Sequence, residues 1–339
     1  MIKKTYIHKG DFKLESGITL TDIEICYHIS DEKINPLKPV IWICHALTAN
    51  SDAVDWWPGM VGKGFLFDPE KYTLVCANIL GSCYGTTGAL STNPSTGKPW
   101  LNDFPLVTVR DWARALEVLR HHLGIEKIYL VTGGSIGGFQ SMEWAIQHPE
   151  RFENMMLVAT TYMSKPWAIA INETERMSIE ADATFFNGDP NGGKAGLAAA
   201  RGLGLLSYRG YEAYNITQPE KDNEQVSDFR VSSYQRYQGK KLVDRFSAHC
   251  YHSITRSQDT HNVARGRGSF EEAFAKIKAK TLSVGISSDI LFPPIEQKQL
   301  AEFIPNAVYA EIDSDFGHDG FLIEFEKLTK IISDFLGLD

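Results

Sequence analysis

Ser135 stands in Val131-Thr132-Gly133-Gly134-Ser135-Ile136-Gly137-Gly138, and its neighbours indicate the chemistry open to it. Ile128-Tyr129-Leu130-Val131 reads as a short buried strand, and Ile136, Phe139, Met142 and Ile146 then recur at helical spacing until Pro149. A serine held between strand and helix inside Gly133-x-Ser135-x-Gly137 matches a nucleophile elbow, whose tight turn lifts the hydroxyl above the sheet. The helix N-terminus behind it aims backbone N–H groups at whatever the serine attacks. The pattern alone is common by chance; the strand before, the helix after and the additional glycines give it weight. A glycine-rich phosphate loop is the rival, but no lysine follows the glycines as in G-x-x-x-x-G-K-[ST].

A serine hydroxyl at neutral pH needs a base to take its proton and a third group to orient that base. In elbow architectures the partners follow in the order serine, acid, histidine, each after a later strand. A strand-like run at Thr281–Ile286 is followed by Ser287-Ser288-Asp289, and one at Val308–Ile312 by Phe316-Gly317-His318-Asp319. His318 is the histidine placed after the last strand and is the expected base; Asp289 is the expected orienting acid. Asp289 also suits a turn before Pro293, and Asp313 and Asp315 are rivals, though too close to His318 to follow an earlier strand. Acyl chemistry further needs donors for an oxyanion, expected from the backbone N–H of Ile136 and of the loop around Leu47. His121, His122 and His148 read as solvated helix positions. His249, His252 and His261 lack the carboxylate or thiol spacing of a metal site, so no metal is expected.

These residues need a scaffold. Ile18, Leu20, Ile23, Ile25 and Tyr27 partly alternate with polar residues, as edge strands do. Pro39–Cys44 and Tyr72–Ala77 are continuous apolar runs expected of central strands. Thr108 is expected to cap a helix lined by Val109, Trp112, Leu116, Leu119 and Leu123 and stopped by Gly124. Glu153–Val158 is a further strand. This alternation predicts an α/β fold, a mostly parallel sheet with helices on both faces. The long polar loop Gly81–Trp100 reads as functional. Between 161 and 275 strand patterns vanish and helical stretches such as Ala195–Tyr208 appear, predicting a helical lid inserted into a core formed by 1–160 and 276–339. A final amphipathic helix is expected to carry Phe321, Leu322, Phe325, Leu328, Ile332 and Phe335.

The 339 residues, 43% hydrophobic and 22% charged, have ample length for a large core. The formal net charge of -8 offers no footprint for nucleic acid, and no apolar run reaches membrane-spanning length. The N-terminus shows no signal-peptide pattern. Five cysteines (Cys26, Cys44, Cys76, Cys83, Cys250) without a C-x-x-C fit a reduced, cytoplasmic protein with buried thiols. The sequons at Asn172 and Asn215 carry no meaning without a secretory route.

Taken together, His45-Ala46-Leu47-Thr48, Asn78-Ile79-Leu80-Gly81-Ser82-Cys83-Tyr84-Gly85, Asn93-Pro94-x-Thr96-Gly97-Lys98-Pro99, Asp103-Phe104-Pro105, Gly133-Gly134-Ser135-x-Gly137-Gly138, Tyr237-Gln238-Gly239 and Gly317-His318-Asp319 resemble the homoserine O-acetyltransferases. The resemblance runs from about residue 15 to the C-terminus. It implies an α/β-hydrolase fold with a helical lid, a homodimer formed through the lid, and no permanently bound cofactor. It also implies a ping-pong reaction: Ser135, with His318 and Asp289, takes an acetyl group from acetyl-CoA as co-substrate and passes it to L-homoserine, a step of methionine synthesis. By the same resemblance Arg201 holds the amino acid's carboxylate, Tyr208 assists, and Asp319 holds the ammonium, though Asp319 also reads as a cap of the last helix. Arg209, Arg230, Arg236, Lys240, Lys241 and Arg245 are candidates for the CoA phosphates, or else a solvated face. Ile136 replaces a frequent Met, and Ser247–Tyr251 and Ser253–Gly268 depart from the family pattern. Succinyl-CoA as donor, L-serine as acceptor, hydrolysis of the acyl-enzyme and a non-enzymatic binding role are the alternatives.

Overall fold

The computed structural model describes residues 1–338. The chain opens with a hairpin of β1 (Ile2–Lys13) and β2 (Thr19–Ile29), then β3 (Val40–Cys44), the short α1 (Ala53–Trp56) and β4 (Thr73–Ala77). Next come α2 (Val109–His122), β5 (Ile128–Gly134), α3 (Ile136–Gln147) and β6 (Phe152–Val158). Five helices follow: α4 (Pro166–Glu180), α5 (Lys194–Thr217), α6 (Arg230–Val243), α7 (Ala248–Asp259) and α8 (Phe270–Phe274). The chain closes with β7 (Lys280–Ile286), α9 (Pro294–Phe303), β8 (Ala307–Ile312) and α10 (Phe325–Leu336). The strands form one sheet in the order β1-β2-β4-β3-β5-β6-β7-β8. β1 and β2 are antiparallel to each other, β2 is antiparallel to β4, and the remaining pairs are parallel.

The continuous apolar runs are explained by burial on both faces. In β3, Val40, Trp42 and Cys44 enter one core with Trp112, Phe139 and Trp144, while Ile41 and Ile43 enter the other with Trp57, Phe67 and Ile332. Each such side chain taken out of water contributes about 1.5–3 kcal/mol, so a buried polar residue there needs a hydrogen-bond partner, as Ser283 finds in Gln297 O (2.9 Å). α2 starts as its cap predicts: the Thr108 side chain accepts from Asp111 N–H, and the Asp111 carboxylate accepts from Thr108 N–H. Gly124 follows the helix at φ +66°, the left-handed conformation that ends it.

Two helix boundaries are corrected. The final helix does not begin at Phe321. Residues 317–322 form a 3-10 turn, and α10 starts only at Phe325 with Glu324 as its cap, so Asp319 does not cap it. Apolar spacing is alike in the two conformations, which is why the sequence merged them. The Gly81–Trp100 loop is pinned by polar groups, with Asn78 Nδ2 donating to Tyr84 O (3.1 Å) and Thr86 Oγ1 to Asn78 O (3.0 Å). The Ala195–Tyr208 helix extends from Lys194 to Thr217, broken at Gly210 (φ +67°, ψ 175°).

The Ser253–Gly268 departures have a structural use. Arg265 donates to Glu15 (2.8 Å) and Arg267 to the buried Glu143 (2.9 Å), tying this segment to the β1–β2 turn and to α3. Of the cysteines, Cys83 is half-buried and the other four are buried. No helix among the described residues is long and apolar enough to cross a membrane.

Candidate active site

β5 ends at Gly134 and α3 begins at Ile136, leaving Ser135 alone in the turn at φ 56°, ψ −126°. A non-glycine residue held at positive φ costs about 1–3 kcal/mol and persists only where its surroundings enforce it. Here they do. Ser135 N–H donates to Val158 O (3.0 Å), and Thr160 Oγ1 donates to Ser135 O (2.7 Å). The flanking glycines permit the fit, since a Cβ on Gly133 would lie 2.4 Å from the Gly137 carbonyl carbon and one on Gly137 only 2.2 Å from Cys44 O. The latter contact sets how closely α3 approaches β3. Gly137→Ala is therefore expected to push the two apart, lowering stability by about 1–3 kcal/mol and activity more, because the elbow moves. Thermal unfolding beside an activity assay checks this; an unchanged melting temperature would refute the packing argument.

The remaining residues arrive from the C-terminal ends of other strands. Asp289 follows β7, and its Oδ1 accepts from the N–H groups of Leu291 (2.8 Å) and Phe292 (3.0 Å). Its Oδ2 meets His318 Nδ1 at 2.7 Å. Both side chains are buried, and the imidazole is walled by Phe292 and Phe321, with ring centroids at 5.4 and 5.7 Å. A buried carboxylate on Nδ1 fixes the tautomer that leaves Nε2 without its proton. Ser135 and His318 line one cavity of about 90 Å³. They are not hydrogen-bonded to each other among the described residues, a looseness common before substrate tightens such a site.

That cavity brings together Leu47, Ser135, Arg201, Tyr208, His318 and Asp319. Ile136 is wholly buried at the first position of α3. Leu47 lines the cavity, and Ile136 follows Ser135 directly in the chain. Two residues that the sequence did not single out for the site hold the Leu47 loop in place. His45, buried with its imidazole pushed down to about 4 by desolvation, lies with Nδ1 2.9 Å from Ala46 O and accepts from Ile79 N–H at Nε2 (3.2 Å). Gln140 on α3 donates to His45 O (3.0 Å). The signal for His45 was its place after a buried strand; for Gln140 there was none.

The charged lining is arranged by the helices between β6 and β7. Arg201 lies over the Tyr208 ring, with its guanidinium carbon 5.6 Å from the centroid, and no carboxylate among the described residues forms a salt bridge with it. Arg209, a candidate for the CoA phosphates or a solvated face, is paired inside the chain: its Nε donates to Asp319 Oδ2 (3.1 Å) and it packs over Tyr234. Gly317, at φ 61°, allows this approach, since a Cβ there would lie 2.9 Å from Tyr208 O. Arg245 donates to Tyr84 Oη (2.7 Å) and to Thr48 O, and Lys240 pairs with Asp244 (2.6 Å). His249 meets Asn102 Oδ1 (2.9 Å), His252 meets Glu180 (2.8 Å), and His261 stacks on Phe139 and meets Thr161 O (2.9 Å). Gln258, absent from the sequence reading, also lines the cavity.

A family model described as alpha/beta hydrolase fold matches residues 39–325. A homoserine O-acetyltransferase of Cyclobacterium marinum is 44% identical over 335 residues, spanning 99% of this chain and 95% of that protein. The crystal structure of homoserine O-acetyltransferase from Staphylococcus aureus matches with a TM-score of 0.83 at 29% identity, covering 100% of this chain and 96% of that one. Esterase E22 matches with a TM-score of 0.87 over 99% of each chain, but at 24% identity it speaks for the fold alone. The chain belongs to the homoserine O-acetyltransferase family, built on the α/β-hydrolase fold.

Proposed function

We propose that the protein transfers an acetyl group from acetyl-CoA to the hydroxyl of L-homoserine through an acyl-enzyme on Ser135. The observation that carries this reading is the charge pattern of the cavity over the elbow. Arg201 presents a guanidinium without an ion-pair partner, and Asp319 presents a carboxylate engaged at only one oxygen by Arg209. Together they complement the zwitterion of an amino acid. The names of the relatives agree.

In this reading His318 Nε2 takes the Ser135 proton as Oγ attacks the thioester carbonyl. The N–H groups of Leu47 and Ile136 receive the oxyanion, each worth about 3 kcal/mol in such sites. The tetrahedral adduct collapses, the C–S bond breaks, and His318 returns the proton to the CoA thiolate. The homoserine hydroxyl then gives its proton to His318 and attacks the acetyl-serine. Collapse breaks the bond from Ser135 Oγ to the acetyl carbon, His318 returns its proton to Oγ, and O-acetylhomoserine leaves with Ser135 restored. Arg201, Tyr208 and Gln258 reach the cavity from α5 and α7, which supports a lid formed by residues 161–275 over a core of 1–160 and 276–339. Exposed apolar side chains on and near the same helices, among them Met177, Leu206, Tyr211 and Tyr237, support a homodimer through the lid. The free cysteines support a reducing, cytoplasmic location, and the product of the proposed transfer would feed methionine synthesis.

The test is to incubate enzyme with acetyl-CoA and homoserine, follow free thiol, and identify the product by mass. Thiol release indifferent to homoserine would indicate hydrolysis. Turnover only with succinyl-CoA, or only with L-serine, would move the donor or the acceptor. Arg201→Ala is expected to lower homoserine kcat/KM by about two orders of magnitude, the cost of about 3 kcal/mol for deleting one partner of a desolvated charge pair, while acetyl-enzyme forms at near wild-type rate. Equal loss in both half-reactions would remove Arg201 from the acceptor subsite.

A further inference from the structure

Behind the wall formed by Arg201 and Tyr208 lies a buried carboxylate that the mechanism above does not use. Glu175, on α4, is wholly buried, and neither of its oxygens has a hydrogen-bond partner. It is pressed against α5 between Arg201 and Tyr208, where a Cβ on Gly204 would come within 2.5 Å of Glu175 Oε1 and 3.0 Å of the Tyr208 ring. The Tyr251 hydroxyl, which faces the carboxyl without forming a full hydrogen bond, and Gln258 Oε1, both from α7, are also buried. The charged and titratable groups around the carboxyl are Arg176 on its own helix, Arg201 and Tyr208 on α5, and Tyr251 and Asp259 on α7. Arg176 is already engaged by Glu173 (2.6 Å) and Asp259 (2.7 Å).

An ionised carboxylate without a partner in such a place would cost several kcal/mol; the protonated acid costs far less and gains a donor. Burial accordingly pushes Glu175 up to about 8, against the pull of the Tyr251 hydroxyl and of the Arg201 and Arg176 charges. We propose that Glu175 is a positioning residue of the acceptor subsite, held as the neutral acid behind Arg201 and Tyr208 so that the Arg201 charge stays unspent for an incoming substrate carboxylate. Loss of its proton places a second anion behind Arg201, which then competes with the substrate for the guanidinium. The proposal rests on the acetyl-transfer reading and adds a pH limit to its second half.

The experiment measures homoserine KM at saturating acetyl-CoA from about pH 6 to about pH 9, for the wild type, Glu175→Gln and Glu175→Ala. At about pH 9, one unit above that carboxyl, about a tenth of the wild-type enzyme keeps the proton, so KM is expected to rise about tenfold relative to pH 7. Glu175→Gln should lack this component; the substrate ammonium titrates equally in both enzymes and cancels in the ratio. Glu175→Ala should raise KM at every pH. Acetyl-enzyme formation, read by mass with acetyl-CoA alone, should stay within about twofold in all three. A Glu175→Gln variant that keeps the wild-type rise, or loses acylation as much as transfer, overturns the proposal.

Failure of the parent reading looks different, because the wild-type acetyl-enzyme would then not discharge to homoserine at all. The ionisation can still be read from stability. The folded carboxyl titrates above the unfolded one, so its contribution is intact below about 4.5 and is lost as pH rises toward about 8. The melting temperature of the wild type should fall relative to Glu175→Gln across that window, and parallel curves would refute a neutral Glu175.

Discussion

Ser135→Ala is expected to form no acetyl-enzyme with acetyl-CoA, and to lose turnover by about four to six orders of magnitude. The structure makes this a clean experiment. The bonds that hold the elbow run through the Ser135 backbone, to Val158 O and from Thr160 Oγ1, and not through its hydroxyl. Alanine bears the same positive-φ strain as serine, so the turn, the α3 N-terminus and the Leu47 loop should stay in place. The variant should fold and melt as the wild type does, and should still bind homoserine. Mass spectrometry of the intact protein after mixing with acetyl-CoA decides the matter. An acetyl adduct on the variant would place the nucleophile elsewhere and remove the basis of the proposed function.

Asp289→Asn should cost about four orders of magnitude in acylation rate, comparable to removing a base-orienting aspartate from other serine triads. The direction follows from the two bonds on Oδ1. Leu291 and Phe292 N–H both donate to that atom, so an asparagine will keep its oxygen there and turn its NH₂ toward His318. Nδ1 must then accept, which leaves the proton on Nε2, the nitrogen that should take the Ser135 proton. The fold should be unharmed, because no packing is lost and both backbone donors remain satisfied. Single-turnover acetyl release from acetyl-CoA is the measurement. A loss of less than about tenfold would mean that Asp289 orients nothing and that the 2.7 Å contact with His318 is incidental.

The two variants test different depths of the sequence reading. Ser135 was legible because strand, elbow and helix are contiguous and their spacing is local. Asp289 and His318 were legible at one remove: a parallel sheet delivers the loops after its strands to one edge, so chain order becomes spatial neighbourhood. Arg201, Tyr208 and Asp319 came from the family resemblance, and the structure gathers all three around one cavity with Ser135. Their roles stay open to the half-reaction test. The pairing of Arg209 with Asp319 was not legible, because the two residues are far apart in the chain and helical periodicity carries no sign of their contact. The same blindness merged the turn carrying His318 with α10. Glu175 drew no attention at all: on the sequence it is one more acidic residue on a helix.

The amino-acid order by itself determined the strands, the elbow and the succession of Ser135, Asp289 and His318 along the chain. Those depend on backbone sterics and apolar period, which neighbouring residues settle among themselves: Ser135 lies directly between the end of β5 and the start of α3, and β3 is a continuous apolar run. Only the tertiary structure decided which charges are spent and which are free. Arg201, Arg209 and Arg245 are the same residue type on neighbouring helices or beside them, yet one stands unpaired over the cavity, one holds Asp319, and one holds the Thr48 loop. A charge acquires its function from what lies within a few ångströms of it, and for side chains far apart in the chain that distance exists only after packing.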